Sequence, residues 1–189
     1  TGYGQDIAAP DMPDVDEYRK TPEFEKDRLA IARQAIIGKL CLEIAGMELD
    51  MQQKALDERL LLQTMMELWP EKTLDDCPQD FREAWLQSRK VFKMWLKDDN
   101  AWEETEEGRD VMQQLQDSMK RVEEKYGCQV LDQAADKWLK THGPVKKEGE
   151  SPKEYLKRLN QLKEDIYSGK LAVSPELLHQ EDEWKDEEE

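Results

Sequence analysis

Histidine is almost missing from this chain, which contains only two, His142 and His179, among 189 residues. A serine or cysteine nucleophile activated by histidine would have to use one of these positions, and so would a histidine-based zinc site. Glycine is sparse too: the nine glycines are scattered singly and form neither a P-loop nor a glycine-rich dinucleotide turn. From these absences we expect a protein that is not an enzyme and carries no cofactor.

Cysteines and long apolar runs are also scarce. Cys41, Cys77 and Cys128 are odd in number and form no CxxC pair, so we expect neither a disulfide framework nor a thiolate zinc site. The longest apolar-rich stretch, residues 35–49, is interrupted by charged residues and is too short to span a bilayer. The first residues show no basic region and no apolar signal core. These features predict a cytoplasmic protein without a membrane segment.

Positive charge is in short supply, because 28 Lys and Arg face 44 Asp and Glu, which gives a formal net charge of −16. Such a chain repels phosphate backbones and anionic membranes, so general nucleic-acid binding is disfavoured. A protein partner with a basic surface is favoured instead. Apolar residues make up 38% of the chain and recur periodically, which disorder does not require. We therefore expect a folded protein.

Apolar residues recur at spacings of three and four along most of the chain, the pattern of amphipathic helices. No run alternates apolar and polar residues, so we expect an all-α fold, a bundle of about five to six helices. The first stripe begins at the helix start Thr21-Pro22 and runs to Trp69-Pro70. It predicts either one helix of about 45 residues or a helical hairpin broken near Gly46.

Turn signals divide the remainder of the chain. Later helices are expected to end near residue 98, at Gly127, at Gly143 and at Gly169. The helix that ends near residue 98 carries its aromatic residues at helical spacing, which predicts an aromatic buried face. The predicted organisation is an extended N-terminal arm at 1–20, a helical core at 21–142, a linker and C-terminal helix at 143–173, and an acidic tail at 174–189.

Paired carboxylates invite comparison with a magnesium site. All-α nucleotide pyrophosphohydrolases carry one Glu-x-x-Glu and one Glu-x-x-Asp on separate helices. Here Glu103-x-x-Glu106 and Glu107-x-x-Asp110 lie next to each other, so the pattern fails. The acids fit a solvated helix start, where the helix macrodipole favours negative charge. We expect no metal site.

The last predicted helix is locally basic. Between Lys140 and Lys170, eight Lys or Arg face five acids, a local excess of +3 in an acidic chain. One interpretation is a set of scattered solubilising lysines. The other is a surface that receives the acidic tail or a partner's acidic patch, and for it we predict contacts at Lys153, Lys157 and Arg158.

The acidic tail contains one aromatic residue. Residues 181–189 hold seven acids, one lysine and Trp184. An aromatic ring among acids suits docking on a basic groove, because the ring supplies burial and the acids supply steering. In composition, over nine residues, this tail resembles those of proteins that compete with single-stranded nucleic acid for a binding groove. The partner-binding residues predicted here are Glu183, Trp184, Asp186 and Glu187.

Two functional hypotheses follow. The first is a non-enzymatic assembly or adaptor protein that acts through protein–protein contacts, by analogy with phage or viral packaging, scaffolding and chaperone-like components. Its long first stripe is expected to pair with a second copy in a homo-oligomer. The alternative is an acidic DNA mimic or inhibitor that occupies a basic nucleic-acid-binding groove. Acids and bases are interspersed in most predicted helices, for example in residues 23–28, which disfavours this alternative.

Overall fold

The chain is all-α, as predicted. The structure, a computed structural model, describes residues 11–55, 57–98 and 101–173. These residues contain no strand and form α1 (Asp11–Tyr18), α2 (Pro22–Met51), α3 (Glu58–Leu68), α4 (Gln79–Asp98), α5 (Glu106–Tyr126), α6 (Cys128–His142) and α7 (Pro152–Tyr167), with 3₁₀ turns at Glu71–Leu74 and Ala101–Glu104.

The first stripe folds as a helical hairpin. Its first helix, α2, has 30 residues, runs through Gly46 without a break and ends at Met51. The chain then turns at Gln53, whose φ of 55° is left-handed. The next helix, α3, starts at the N-cap Asp57, whose side chain accepts a hydrogen bond from the Arg59 backbone N–H at 3.0 Å. Of the two predicted alternatives, the structure has the hairpin, but the predicted break near Gly46 is wrong because the turn follows Met51.

Helix α2 is the centre of the fold. Ile36, Ile37, Leu40 and Cys41 are each 0–1% exposed, and because adjacent helical positions point about 100° apart, the helix is buried on more than one side. Helices α3, α6 and α7 all pack against it. The stripe that we expected to pair with a second copy is thus used inside the monomer. None of the described helices is long and apolar enough to cross a membrane.

Helices α4 and α5 form a second hairpin beside this core. Gly127, with a φ of 69°, is both the C-cap of α5 and the N-cap of α6, so this hairpin continues directly into the core. Ala84 of α4 and Val122 and Tyr126 of α5 belong to the hydrophobic core. The predicted aromatic buried face of α4 is only partly correct, because Phe92 is 40% exposed. The hairpin packs on the core through Ala84, Val122 and Tyr126, and Phe92 lies outside the core cluster.

The N-terminal segment differs from the predicted extended arm at 1–20. Residues 11–18 form helix α1, and residues 1–10 lie outside the described part of the chain. The Tyr18 hydroxyl donates a hydrogen bond to the Asp27 carboxylate, and the Tyr18 ring packs edge-on against Phe24 and Tyr126 at centroid distances of 5.4 and 6.1 Å. Through Tyr18, the end of the N-terminal segment therefore packs against the helical core of its own chain.

Candidate functional site

An open cleft lies between helix α7 and the loop that precedes it. The loop, residues 143–151, joins α6 to α7 in the predicted linker. The cleft has a volume of about 730 Å³ and combines basic and apolar side chains. Its lining residues are His142, Gly143, Pro144, Val145, Lys146, Lys147, Arg158, Gln161, Leu162 and Asp165.

Helix α7 forms one wall because its start and its inner face are both well specified. Ser151 is the N-cap, and its Oγ accepts a hydrogen bond from the Glu154 backbone N–H at 3.2 Å, with proline at the first helical position. Leu159 and Ile166, at most 1% exposed, belong to the core. Burial of that face turns Arg158 and Gln161 toward the cleft.

The loop is tied to α7 by charged and polar contacts. Arg158 Nη1 donates to the Val145 carbonyl at 3.0 Å and to the two Glu150 carboxylate oxygens at 2.8 and 3.1 Å. Glu150 also accepts a hydrogen bond from the Lys147 backbone N–H at 3.0 Å, and its side chain is only 7% exposed. The Tyr155 hydroxyl lies 3.2 Å from the Pro144 carbonyl. These contacts preform the cleft and reduce the entropy that a ligand would otherwise lose in ordering it.

The exposed positive charge of the cleft is on its rim, and Asp165 is the acidic residue among its lining residues. The pKa of Glu150 is lowered, first by the hydrogen bond from the Lys147 backbone and then by the positive charge of Arg158, so Glu150 stays ionised and offsets the charge of Arg158. Lys146 and Lys147 are exposed. Val145, which precedes them and follows Pro144, is 73% exposed. The rim can therefore pair the ammonium groups of Lys146 and Lys147 with carboxylates and pack Val145 against a large apolar side chain.

The predicted contact residues divide into three groups. Arg158 lines the cleft, but its guanidinium already binds Glu150 and the loop. Lys153 and Lys157 are exposed on α7 and are not among the residues that line the cleft. Residues 183–187, which include the four predicted contacts of the tail, lie outside the described residues.

Sequence reasoning missed the apolar part of this cleft. Pro144, Val145 and Leu162 line it, although the loop was interpreted only as a glycine, proline and lysine linker. The available signal was Val145 itself, a β-branched residue between a proline and two lysines, with no helical stripe to join.

The acidic segment before α5 is a helix start, as interpreted from the sequence. Thr105 is the N-cap, and its Oγ1 accepts a hydrogen bond from the Gly108 backbone N–H at 2.9 Å. Glu106 and Glu107 are exposed in the first turn, where the macrodipole favours them. In the part of the chain that the structure describes, no group of three or more His, Cys, Asp or Glu residues is placed to hold a metal ion.

Comparison of the chain with protein-family models, with curated proteins and with solved structures found no match in any of the three.

Proposed function

We propose that this protein is a non-enzymatic adaptor or assembly protein that binds acidic segments of protein partners through the cleft beside α7. The observation that carries the proposal is the combination, on one preformed rim, of the exposed cations Lys146 and Lys147 with the exposed apolar side chain of Val145. A partner of this kind supplies carboxylates for steering and one apolar side chain for burial.

The acidic surfaces of the chain extend this proposal to a second type of partner. Glu103 and Glu104 of the 3₁₀ turn and Glu106 and Glu107 of the first turn of α5 are exposed, whereas the cleft rim is basic. Segregated charges of both signs let one protein contact a basic and an acidic partner at separate places, which is what an adaptor or scaffold does. Phage or viral packaging, scaffolding and chaperone-like proteins remain the functional analogy, in a reducing, cytoplasmic compartment that suits the three free cysteines.

The alternative, a DNA mimic, receives less support from the surface. A mimic of duplex phosphates needs carboxylates in uninterrupted rows. Helix α4 instead exposes Lys90, Lys93 and Lys97 at spacings of three and four, which places a basic stripe on the same hairpin as the acids of α5. The adaptor hypothesis accounts for both signs of charge.

Site-specific photo-crosslinking in cells tests the adaptor proposal. A photoreactive phenylalanine analogue replaces Val145 in the full chain, and, as a position control, Gln133, which is exposed on α6. We expect crosslinks to another protein from position 145 and none from position 133. Light scattering on the purified chain then determines whether the captured protein is a second copy.

Charge reversal supplies the chemical control. The double variant K146E/K147E should lose the crosslink from position 145, whereas K90E/K93E, with the same change in net charge on α4, should keep it. Equal crosslinking from positions 145 and 133, or a crosslink that survives K146E/K147E, would overturn the proposal. If the protein is a monomer that captures a nucleic-acid enzyme, and salt releases that enzyme, the result would favour the DNA mimic instead.

A further inference from the structure

The chain leaves helix α7 at the edge of the cleft. Gly169, with a φ of 83°, reverses the backbone after α7, and the Leu171 backbone N–H donates to the Asp165 carbonyl at 2.9 Å. Asp165 is a lining residue of the cleft. The last described residue, Val173, packs against the hydrophobic core, which holds this exit in place. Whatever follows Val173 therefore starts next to the cleft.

The acidic segment 181–189 is within reach from that exit. Trp184 follows Val173 by eleven residues. Eleven residues span at most about 40 Å when extended. Arg158 and Asp165, both lining residues, are seven residues apart on α7, which corresponds to only about 10 Å along the helix axis. The chain is thus long enough to return along the cleft with slack.

The chemistry of the segment complements that of the cleft. Residues 181–189 carry seven acids, one lysine and Trp184, and the rim carries Lys146 and Lys147. An indole can lie against Pro144 and Val145 while its neighbouring carboxylates meet the two ammonium groups. A tether of this length also gives the segment an effective concentration of roughly millimolar at the cleft, so weak contacts suffice for occupancy.

We propose that residues 181–189 occupy the cleft of their own chain, with Trp184 on its apolar side, and that this segment competes with the acidic partners of the adaptor. The inference rests on the proposed function, because it names the regulator of the same cleft. Partner binding then requires displacement of the segment, so the apparent affinity for a partner falls by the fraction of molecules whose cleft is occupied.

Paramagnetic relaxation in the full chain tests this directly. A nitroxide is attached to E189C, the position in the segment furthest from the tether; the three native thiols are buried or half-buried with raised pKa values and react slowly with the reagent. In low salt we expect the amide signals of residues 145–147 and 161–162 to lose more than half of their intensity. Those of residues 106–110, in the α4–α5 hairpin, should be unchanged.

Variants and isotope mixing decide between occupants. K146E/K147E and W184A should each restore the signals, whereas the control K90E/K93E should not. Uniform weak broadening, or no broadening, at the cleft would overturn the inference. A second sample mixes isotope-labelled chain without nitroxide with nitroxide-labelled chain without isotope. Broadening at the cleft in this sample would show that the segment binds a second copy, and it would also overturn the inference. The crosslinking test from position 145 judges the adaptor proposal separately, since it detects partners of any origin.

Discussion

Gly38 and Gly46 of helix α2 provide a test of how the core is packed. Helix propensity predicts the same gain for alanine at both positions, whereas their surroundings in the structure differ. A Cβ added to Gly38 would lie 2.7 and 2.8 Å from two ring atoms of Trp69, whereas one added to Gly46 would meet nothing within 4 Å. The Trp69 ring has little freedom to retreat. Its Nε1 donates to the buried Gln34 Oε1 at 2.9 Å, and its ring packs edge-on against Trp85 at 5.2 Å.

The expected magnitudes follow from these contacts. Alanine at Gly46 gains about 1 kcal/mol of helix propensity and raises the free energy of unfolding by that amount. At Gly38 the same gain is opposed by overpacking against the tryptophan, which costs about 1–3 kcal/mol. We therefore expect G38A to be less stable than G46A by about 1–3 kcal/mol. In melting temperature, each kcal/mol corresponds to roughly 2–4 °C for a domain of this size.

Urea unfolding followed by far-UV circular dichroism measures both variants against the wild type. A double-mutant cycle identifies the cause: in a W69L background the ring is gone, so G38A should stabilise like G46A, with a coupling energy of about 1–3 kcal/mol. If G38A alone were as stable as G46A, or if the coupling were absent, the close packing of Trp69 on Gly38 would be refuted.

Two further predictions concern ionisable groups. Burial raises the pKa of Cys41 to about 11 and those of Cys77 and Cys128 to about 12, so a disulfide reagent at neutral pH should label the folded chain slowly and the urea-unfolded chain rapidly. A thiol of the folded chain that reacts at the rate of free cysteine would contradict this. The pKa of Glu150 is lowered in the fold by the Lys147 backbone N–H and Arg158, so its contribution to stability is present above the pKa of an unfolded glutamate, about 4.3, and is lost as the pH falls below it. The stability difference between the wild type and E150Q, from urea midpoints, should therefore shrink between neutral pH and pH values below about 4.3, and a difference that stays constant would be evidence against the contact.

Most helix boundaries could be predicted because their signals are local. Thr21-Pro22, Ser151-Pro152 and Gly127 each favour a helix end through local backbone preference, and Ser151 adds a side-chain cap. The structure has helix ends at all three. Periodic apolar residues likewise predicted an all-α core, and Cys41 is fully buried in it. These features depend on neighbours in sequence, which a single chain displays.

The features that could not be predicted depend on partners distant in sequence. Gly46 was predicted to break the first helix, yet the chain turns only after Met51, where residues 52–55 are exposed and no longer contribute to the core. Helix α1 is anchored through Tyr18 on Tyr126, more than a hundred residues away, and composition alone indicated an extended arm. Tertiary contacts of this kind override local tendencies.

The candidate site shows the same division. The local excess of basic residues predicted contacts at Lys153, Lys157 and Arg158, and of these three only Arg158 lines the candidate cleft. A count of charges could not tell that Glu150 neutralises Arg158 and that Lys146 and Lys147 carry the exposed charge of the rim. The ion pair between Arg158 and Glu150 depends on the conformation of the loop. That conformation is held by the hydrogen bonds from Arg158 to the Val145 carbonyl and from the Lys147 backbone N–H to Glu150.

The central position of α2 also constrains how this protein can recognise a partner. The apolar stripe of α2 is buried in the core, so the proposed recognition would use charged surfaces with exposed apolar side chains. Val145, 73% exposed, is the most exposed large apolar residue in the described part of the chain. Exposed ion pairs contribute only about 0.2–1 kcal/mol each and are screened by salt. Lys146 and Lys147 alone would therefore give weak, salt-sensitive binding, and specificity must come from the apolar side chain that lies against Val145. Under the proposed competition, a partner that displaces residues 181–189 needs a large apolar side chain among its acids, because that segment contains Trp184 among seven acids.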